Sequence, residues 1–322
     1  KMMLPKRKIR DYHLRYDLRY TKIDSFRLRR ERQKKMRFGI MEMQMSQLIP
    51  GDVNPKKAVD QILSFDRSQL VKNLAEAGFN LIELGGDLSL FFPHTYEEKS
   101  INRLNQLKEE MNLSYTVHLP LWSVEPSTPL EPVRYGSADA IMDIIEAVEI
   151  LEPEVYVLHA TGALAAEFYR MKIPETAKSL VLQQFQGNAI GSIKMILEET
   201  GLPSRKLAIE TIEFPLDLTL EIADLLDLSI CLDTGHILAG FSGPIPFEEA
   251  LTACLPRLAE VHLHDAPDFM KTGKLGYGLD HQALGTGDLD VINLLKILDD
   301  NHFSGPVVFE LSTTEAQQSL SY

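Results

Sequence analysis

Histidine, aspartate and glutamate recur at one kind of place in this chain, at or just beyond the end of a short apolar run typical of a β-strand. Burying so many ionisable groups together costs roughly several kcal/mol each unless cations compensate them. Mixed imidazole and carboxylate ligands suit Zn²⁺, Mn²⁺ or Fe²⁺ better than Ca²⁺ or Mg²⁺. The pattern therefore predicts a centre of divalent metal ions. Its candidate residues are His118, His159, Glu210, Asp233, His236, His262, His264, Asp265, Asp280, His281 and Glu310.

Other readings of these residues explain less of the pattern. A single histidine at a strand end is usually a hydrogen-bonded structural residue, and an acidic residue such as Asp233 can cap the next helix. A nucleophilic serine is not predicted, because no G-x-S-x-G sequence occurs. A glycosidase pair could be made from Glu210 and Glu310, but the histidines would then have no role. The joint pattern favours metal chemistry.

The strands that carry these residues alternate with helical stretches. The predicted strands are residues 37–43, 79–84, 113–119, 155–160, 206–211, 228–233, 258–263 and 306–311. Eight such units predict an α/β fold, the TIM (β/α)8 barrel with eight parallel strands, whose carboxyl ends share one mouth. A doubly wound sheet is the rival, but neither G-x-G-x-x-G nor a P-loop sequence is present.

Four intervals illustrate the predicted helices, and two intervals are predicted as long loops. The helices are residues 68–77, 101–111, 138–151 and 289–300, and the loops are 120–136 and 264–287. Long loops at the carboxyl end of a barrel usually shape a substrate pocket. After the last predicted strand the remaining residues 312–322 are too few for a closing helix of usual length.

The charge of the chain is divided unevenly. Residues 1–37 carry 15 Lys and Arg against 4 Asp and Glu, whereas the rest carries 18 against 42. We expect a disordered basic extension over 1–35 and a catalytic barrel over 36–322. A body this acidic repels phosphate backbones, so nucleic acid is a poor partner. No apolar run of about 20 residues suggests a membrane span, and two unpaired cysteines, Cys231 and Cys254, fit a cytoplasmic protein.

Taken in order, the motifs resemble the xylose-isomerase-like superfamily of TIM barrels, and within it the family-2 apurinic endonucleases. The resemblance covers roughly residues 36–312. It is carried by His118, His159, Ile209-Glu210-Thr211, Asp233-Thr234-Gly235-His236, Val261-His262-Leu263-His264-Asp265, His281 with Leu284-Gly285-Thr286-Gly287, and Glu310. It implies two or three divalent ions, Zn²⁺ or Mn²⁺, as cofactors.

The resemblance also implies which residues hold each ion. The site shared by the superfamily corresponds to Glu210, Asp233, His262 and Glu310. The endonuclease-like branch adds a second site, which corresponds to His118, His159 and Glu210. Its third site uses two histidines, here His236 and His281, and an aspartate two residues before the latter. Leu279 stands at that position and Asp280 follows it, so two ions are the safer expectation.

Two further stretches, residues 83–93 and 118–122, resemble the cobamide-remodelling phosphodiesterases, which cleave the nucleotide loop of corrinoids. That resemblance implies a large amphipathic small molecule as partner. Phe91 and Trp122 would line an apolar wall for it. We add His264 and Asp280 to the predicted substrate-binding residues. The alternative is that the two aromatic side chains only pack the rim of the barrel.

The leading hypothesis is therefore a metal-dependent phosphodiesterase in which Glu210, His236 and Glu310 are catalytic. The alternative is a sugar or sugar-phosphate isomerase or epimerase, which needs one metal ion and two carboxylates for proton transfer. It does not need the His118 and His159 pair, which is why hydrolysis is favoured. A third possibility is an apurinic endonuclease whose basic extension supplies the positive charge that the body lacks.

Overall fold

The computed structural model describes residues 36–42 and 64–321. The predicted extension over 1–35 and the last residue of the first predicted strand, Met43, lie outside the described residues. Within them the predicted TIM barrel is confirmed, because eight strands pair in sequence order and the eighth closes on the first. All eight strand pairs are parallel.

The strands are short and end close to the predicted positions. They are β1 Arg37–Met41, β2 Leu81–Gly85, β3 Ser114–His118, β4 Tyr156–Leu158, β5 Leu207–Glu210, β6 Ser229–Asp233, β7 Leu258–Leu263 and β8 Pro306–Phe309. His159 and Glu310 each follow directly after their strand. The carboxyl ends of parallel strands lie at one end of a barrel, so the candidate residues face a common mouth.

The helices wrap the sheet from outside. They are α1 Arg67–Glu76, α2 Leu88–Phe91, α3 Glu98–Met111, α4 Glu131–Val148, α5 Ala163–Arg170, α6 Glu175–Thr200, α7 Leu216–Leu225, α8 Thr234–Leu238, α9 Phe247–Cys254, α10 Phe269–Thr272, α11 Val291–Asp300 and α12 Thr313–Ser319. None of the described helices is both long and apolar enough to cross a membrane.

One prediction about these segments needs correction. The loop predicted over 120–136 ends earlier, because α4 begins at Glu131 with Pro132 in its first turn, where proline is preferred. After β8 the short segment forms the helix α12, which is shorter than a closing helix of usual length, in agreement with the prediction. Ser312 and Glu315 cap it reciprocally, so a seven-residue helix is held at its start. Cys231 and Cys254 are both buried free thiols.

On the side of the barrel formed by β4, β5 and β6, the residues that face the barrel axis change from apolar to polar toward the mouth. Alternate residues of a strand lie on the same face. Val157, Ala208 and Cys231 belong to one buried apolar cluster. Two positions further along the same strands stand His159, Glu210 and Asp233. On this side of the barrel, the sheet thus places a layer of apolar side chains directly below the ionisable groups of the mouth.

Candidate metal centre

Glu210 lies at the centre of the polar mouth and is almost completely buried, with 2% of its surface exposed. Its Oε2 lies 3.0 Å from His118 Nε2 and 2.8 Å from His159 Nε2. Its Oε1 lies 3.1 Å from His236 Nδ1 and 3.7 Å from His262 Nδ1. The carboxylate therefore faces a different pair of histidines with each oxygen. Three of these four histidines come from different strands or strand ends.

The far side of Glu210 Oε1 holds two more carboxylates. His262 Nδ1 lies 3.3 Å from Glu310 Oε1 and 3.8 Å from Asp233 Oδ2. Asp233 also caps α8, because its Oδ1 accepts the backbone N–H of His236. The capping role expected for a lone aspartate and the proposed ligand role thus use different oxygens of the same side chain. Both readings of Asp233 fit the structure.

A second group of side chains comes from the β7–β8 connection. His281 Nδ1 lies 2.8 Å from Asp280 Oδ2, and His281 Nε2 lies 3.1 Å from Glu310 Oε2. Asp280 Oδ2 is also 3.8 Å from His236 Nε2. Leu279 is 52% exposed. Asp280 therefore lies close to both His236 and His281, although the resemblance expects the aspartate one position earlier in the sequence.

The end of β7 fixes that connection in place. The buried carboxylate of Asp265 accepts backbone N–H bonds from Gly285, Gly287 and Leu289. Its backbone pairs in both directions with Gln282, the residue after His281. A Cβ on Gly287 would lie 2.4 Å from Asp265 Oδ1, so the backbone can approach Asp265 this closely only with glycine at this position. The Leu-Gly-Thr-Gly sequence is thus explained by packing around Asp265.

His264 has both ring nitrogens engaged within the protein. Its Nδ1 accepts the backbone N–H of His281, which leaves Nε2 to donate to Asp233 Oδ2 at 2.9 Å. The residue is fully buried. A Cβ on Gly235 would lie 2.1 Å from its Nδ1, so the Asp-Thr-Gly-His sequence needs glycine there. The substrate-binding role predicted for His264 stays a prediction, and its contacts in the structure are to the protein.

A cavity of about 330 Å³ opens above these groups and is lined by His118, His159, Glu210, Trp122 and Asp87 among others. Trp122 is 50% exposed, and its ring meets Phe91 edge to face with centroids 6.0 Å apart. Asp87 accepts the backbone N–H groups of Leu121 and Trp122 and so holds the start of this loop. Trp122 lines the cavity and Phe91 packs against it, and the substrate-binding role of the two stays a prediction.

Comparison with known protein families gives one match. The family described as xylose isomerase-like TIM barrel, AP endonuclease 2, matches residues 71–322. The chain belongs to this family. Proteins of the family typically bind divalent metal ions.

Individual members resemble the chain over most of its length. An uncharacterized protein of Methanocaldococcus jannaschii, MJ1311, is 27% identical over 231 residues, 67% of this chain and 71% of that protein. The solved structure of a D-tagatose 3-epimerase-like protein matches with a TM-score of 0.65 and 21% identity, over 89% of this chain and 95% of that one. Endonuclease IV from Thermus thermophilus matches with a TM-score of 0.58 and 19% identity, over 88% and 96%. At these identities the two solved structures support the fold.

The donor set of this xylose isomerase-like barrel fits divalent metal ions. Groups of three side chains place one donor atom each within 4.8 Å of one another. Among them are His118 with His159 and Glu210, Glu210 with Asp233 and His262, and His236 with His264 and His281. The ring nitrogens of His262 and Nδ1 of His236 are buried and have no well-formed hydrogen bond among the described residues. Nitrogen and oxygen donors left in this way suit Zn²⁺ or Mn²⁺.

The electrostatics of the mouth couple several protonation states. Burial alone would lower the pKa of His118, but its hydrogen bond to Glu210 and the charges of Glu210 and Glu83 together outweigh this and raise the pKa to about 9. Bonds to Asp280 and Glu310 likewise outweigh burial and raise the pKa of His281 to about 11. Burial, reinforced by the charge of His281, lowers the pKa of His264 to about 3. Ion binding at His118 or His281 would therefore have to displace a proton.

Four ionisable residues of the barrel escaped prediction. Glu42 follows β1 and forms a fully buried ion pair with Arg67. Glu83 and Glu260 lie inside β2 and β7 and are fully buried. Each of these acidic residues lies within an apolar run, so the composition of the run does not predict a functional residue there. For Glu260 the spacing could have predicted its position, because it stands two residues before His262 and residues two apart on a strand face the same side of the sheet.

Proposed function

We propose that this protein is a metal-dependent hydrolase that cleaves a phosphate diester in a small molecule. The observation that carries the proposal is the placement of Glu210, which offers Oε2 to His118 and His159 and Oε1 to His236 and His262. A carboxylate with separate histidine pairs on its two oxygens is suited to bridging two ions. Two ions in such a site activate water and stabilise the leaving oxygen of a phosphate ester.

In this proposal the chain's own residues divide the work. His118, His159 and Glu210 would hold one ion, and Glu210, Asp233, His262 and Glu310 the other. The Nδ1–H of His118 donates to the backbone carbonyl of Leu119 at 2.9 Å, which leaves Nε2 as the ligand atom. His236, His281 and Asp280 would hold a third ion or contact the phosphate.

The substrate proposal is the nucleotide loop of a cobamide. The cavity of about 330 Å³ is too small to enclose a whole corrinoid but admits a phosphodiester. The bulky part of the substrate would then lie outside the cavity against the rim. Exposed Trp122 and Phe91 would supply an apolar surface for it there.

The experiment compares three substrates with the metal-loaded full chain. Adenosylcobalamin tests the cobamide, bis(p-nitrophenyl) phosphate tests phosphodiester cleavage in general, and an abasic DNA duplex tests the endonuclease hypothesis. We expect release of the lower nucleotide from the first and none above background from the DNA. Cleavage of the aryl diester alone would retain the hydrolase and discard the cobamide. Absence of any phosphodiester cleavage would discard both.

A second candidate is a sugar or sugar-phosphate epimerase with one metal ion. Glu210 and Glu310 both approach His262 Nδ1, at 3.7 and 3.3 Å, so two carboxylates flank one ion position as proton transfer beside a carbonyl requires. The cavity volume also suits a monosaccharide. Solvent deuterium incorporation into ketohexoses, followed by NMR, tests it. An epimerase should keep this exchange in the His159→Ala variant, whereas a two-metal hydrolase should lose its activity.

A further inference from the structure

Below the mouth, the barrel interior holds a second layer of polar side chains that the proposed mechanism does not use. Glu83 on β2, Thr116 on β3 and Glu260 on β7 are each fully buried. Thr116 Oγ1 donates to Glu260 Oε1 at 3.0 Å, and Glu83 Oε2 lies 3.2 Å from His262 Nε2. The strands joined by each of these contacts are not neighbours in the sheet, so the contacts cross the barrel axis.

His262 joins this layer to the mouth. Its Nδ1 points to the mouth, 3.3 Å from Glu310 Oε1, while its Nε2 points down to Glu83. The Nε2 and Oε2 atoms are within hydrogen-bonding distance, but they do not form a well-formed hydrogen bond. Both Glu83 oxygens accordingly have no well-formed hydrogen bond among the described residues. Burying carboxylate oxygens without a hydrogen bond costs folding free energy, and an N–H donated by the His262 imidazole would reduce that cost.

We propose that Glu83 is a positioning residue that accepts the Nε2–H of His262 and thereby keeps the Nδ1 lone pair directed at Glu210, Asp233 and Glu310. This inference rests on the proposed metal centre but not on whether that centre hydrolyses or epimerises. An imidazole that ligates an ion with one nitrogen usually donates its other N–H to a carboxylate or carbonyl, which fixes tautomer and orientation. Glu83 is the carboxylate within reach of that second nitrogen.

Glu260 provides a matched control for this role. It is as deeply buried as Glu83 and lies in the same layer, but Thr116 engages its Oε1. Its donor atoms come within 4.8 Å of those of Glu83 and His262, so both glutamates place a carboxylate at a similar depth. Replacing either by glutamine removes one carboxyl group from the same layer. Glu260→Gln keeps the carboxylate whose Oε2 lies 3.2 Å from His262 Nε2, whereas Glu83→Gln replaces that carboxylate itself.

The test measures the Zn²⁺ dissociation constant of the full chain by competition with a chelator. We expect Glu83→Gln to weaken binding by about 10- to 100-fold, the usual cost of losing such a partner, and Glu260→Gln by less than about threefold. Equal weakening by both variants, or none by Glu83→Gln, would overturn the positioning role. A wild-type chain that binds no Zn²⁺ would instead overturn the metal centre, and the role of Glu83 with it.

A second measurement does not depend on the folding of either variant. In ¹⁵N-labelled, Zn²⁺-loaded wild-type protein, the proposal places the proton of His262 on Nε2, with slow exchange, and the ion on Nδ1. Long-range ¹H–¹⁵N correlation spectra distinguish the two ring nitrogens. A proton on Nδ1 of His262, or a rapidly exchanging Nε2 proton, would contradict the assignment to Glu83.

Discussion

The two parts of the candidate centre are built in different ways. His118, His159 and Glu210, which we call the strand cluster, stand at the ends of adjacent strands β3, β4 and β5. Asp280 and His281, the loop cluster, reach the mouth from a long connection that Asp265 holds in place. His281 adopts a left-handed backbone with φ of 57°, a conformation that costs roughly 1–3 kcal/mol in a non-glycine residue. The sheet places the strand cluster directly, whereas the loop cluster depends on a second set of bonds.

The largest effect is expected where both proposed ion positions meet. Glu210→Gln should lower the rate by about 10²- to 10⁴-fold, as for loss of a positioned catalytic group. The reason is that the amide has only one oxygen that can ligate an ion, whereas the carboxylate offers one oxygen to each proposed ion. Steady-state kinetics with the best substrate of the panel measures this. Asp217→Asn on the outer helix α7 is the control, and wild-type rates for Glu210→Gln would refute the bridging role.

The next prediction separates the two clusters. His159→Ala should lower the bound metal by about one ion per chain, because it removes a strand-cluster ligand. His281→Ala should retain the ions of the strand cluster and of Glu210, Asp233, His262 and Glu310. Elemental analysis after loading and desalting counts the ions. If His281→Ala fails to retain both of those ions, the division into two clusters is wrong.

The dependence of stability on pH should reverse when metal is bound. The raised pKa of His118, about 9 against an ordinary 6.5, means that the folded metal-free chain holds a proton that the unfolded chain releases. This contribution is complete below pH 6.5 and is lost as the pH rises to about 9, on the order of 3 kcal/mol. Zn²⁺-loaded protein should instead gain stability over this range, because the ligands must be deprotonated. Urea unfolding at pH 6 and pH 9, with and without metal, measures both. The prediction is contradicted if the free energy of unfolding changes in the same direction between pH 6 and pH 9 with and without metal.

The anchor of the loop cluster offers a selective perturbation. Asp265→Ala removes the acceptor of four backbone N–H groups, so we expect a loss of about 1–3 kcal/mol in the free energy of unfolding. Hydrogen exchange should rise in residues 279–289 and stay low at the ends of β3 to β5. Uniformly faster exchange would mean that the strand cluster also depends on Asp265.

The smallest effect is expected at the rim. Trp122→Ala should raise KM about fivefold with little change in kcat, since a half-exposed ring contributes about 1 kcal/mol to binding. Leu164→Ala, at another exposed apolar side chain, serves as the control. Unchanged KM with a large amphipathic substrate would support the alternative that Trp122 and Phe91 only pack the rim.

The comparison of the clusters also explains what the sequence can predict. His118, His159, Glu210 and Asp233 were found because apolar runs reveal strands, and parallel strands bring their ends together. The position of Asp280 at the mouth could not be predicted from strand ends, because it depends on how Asp265 holds the connection between β7 and β8. Glu83 was missed because a buried glutamate inside a strand becomes meaningful only once its neighbour across the barrel, His262, is known.

The most direct test of the central claim is anomalous diffraction from crystals of the full chain grown with Zn²⁺ or Mn²⁺. We predict two peaks, one beside each oxygen of Glu210 and about 4 Å apart, each within bonding distance of its histidines. A single peak beside Glu210 Oε1 would favour the epimerase. The absence of any peak within bonding distance of Glu210 would contradict the account.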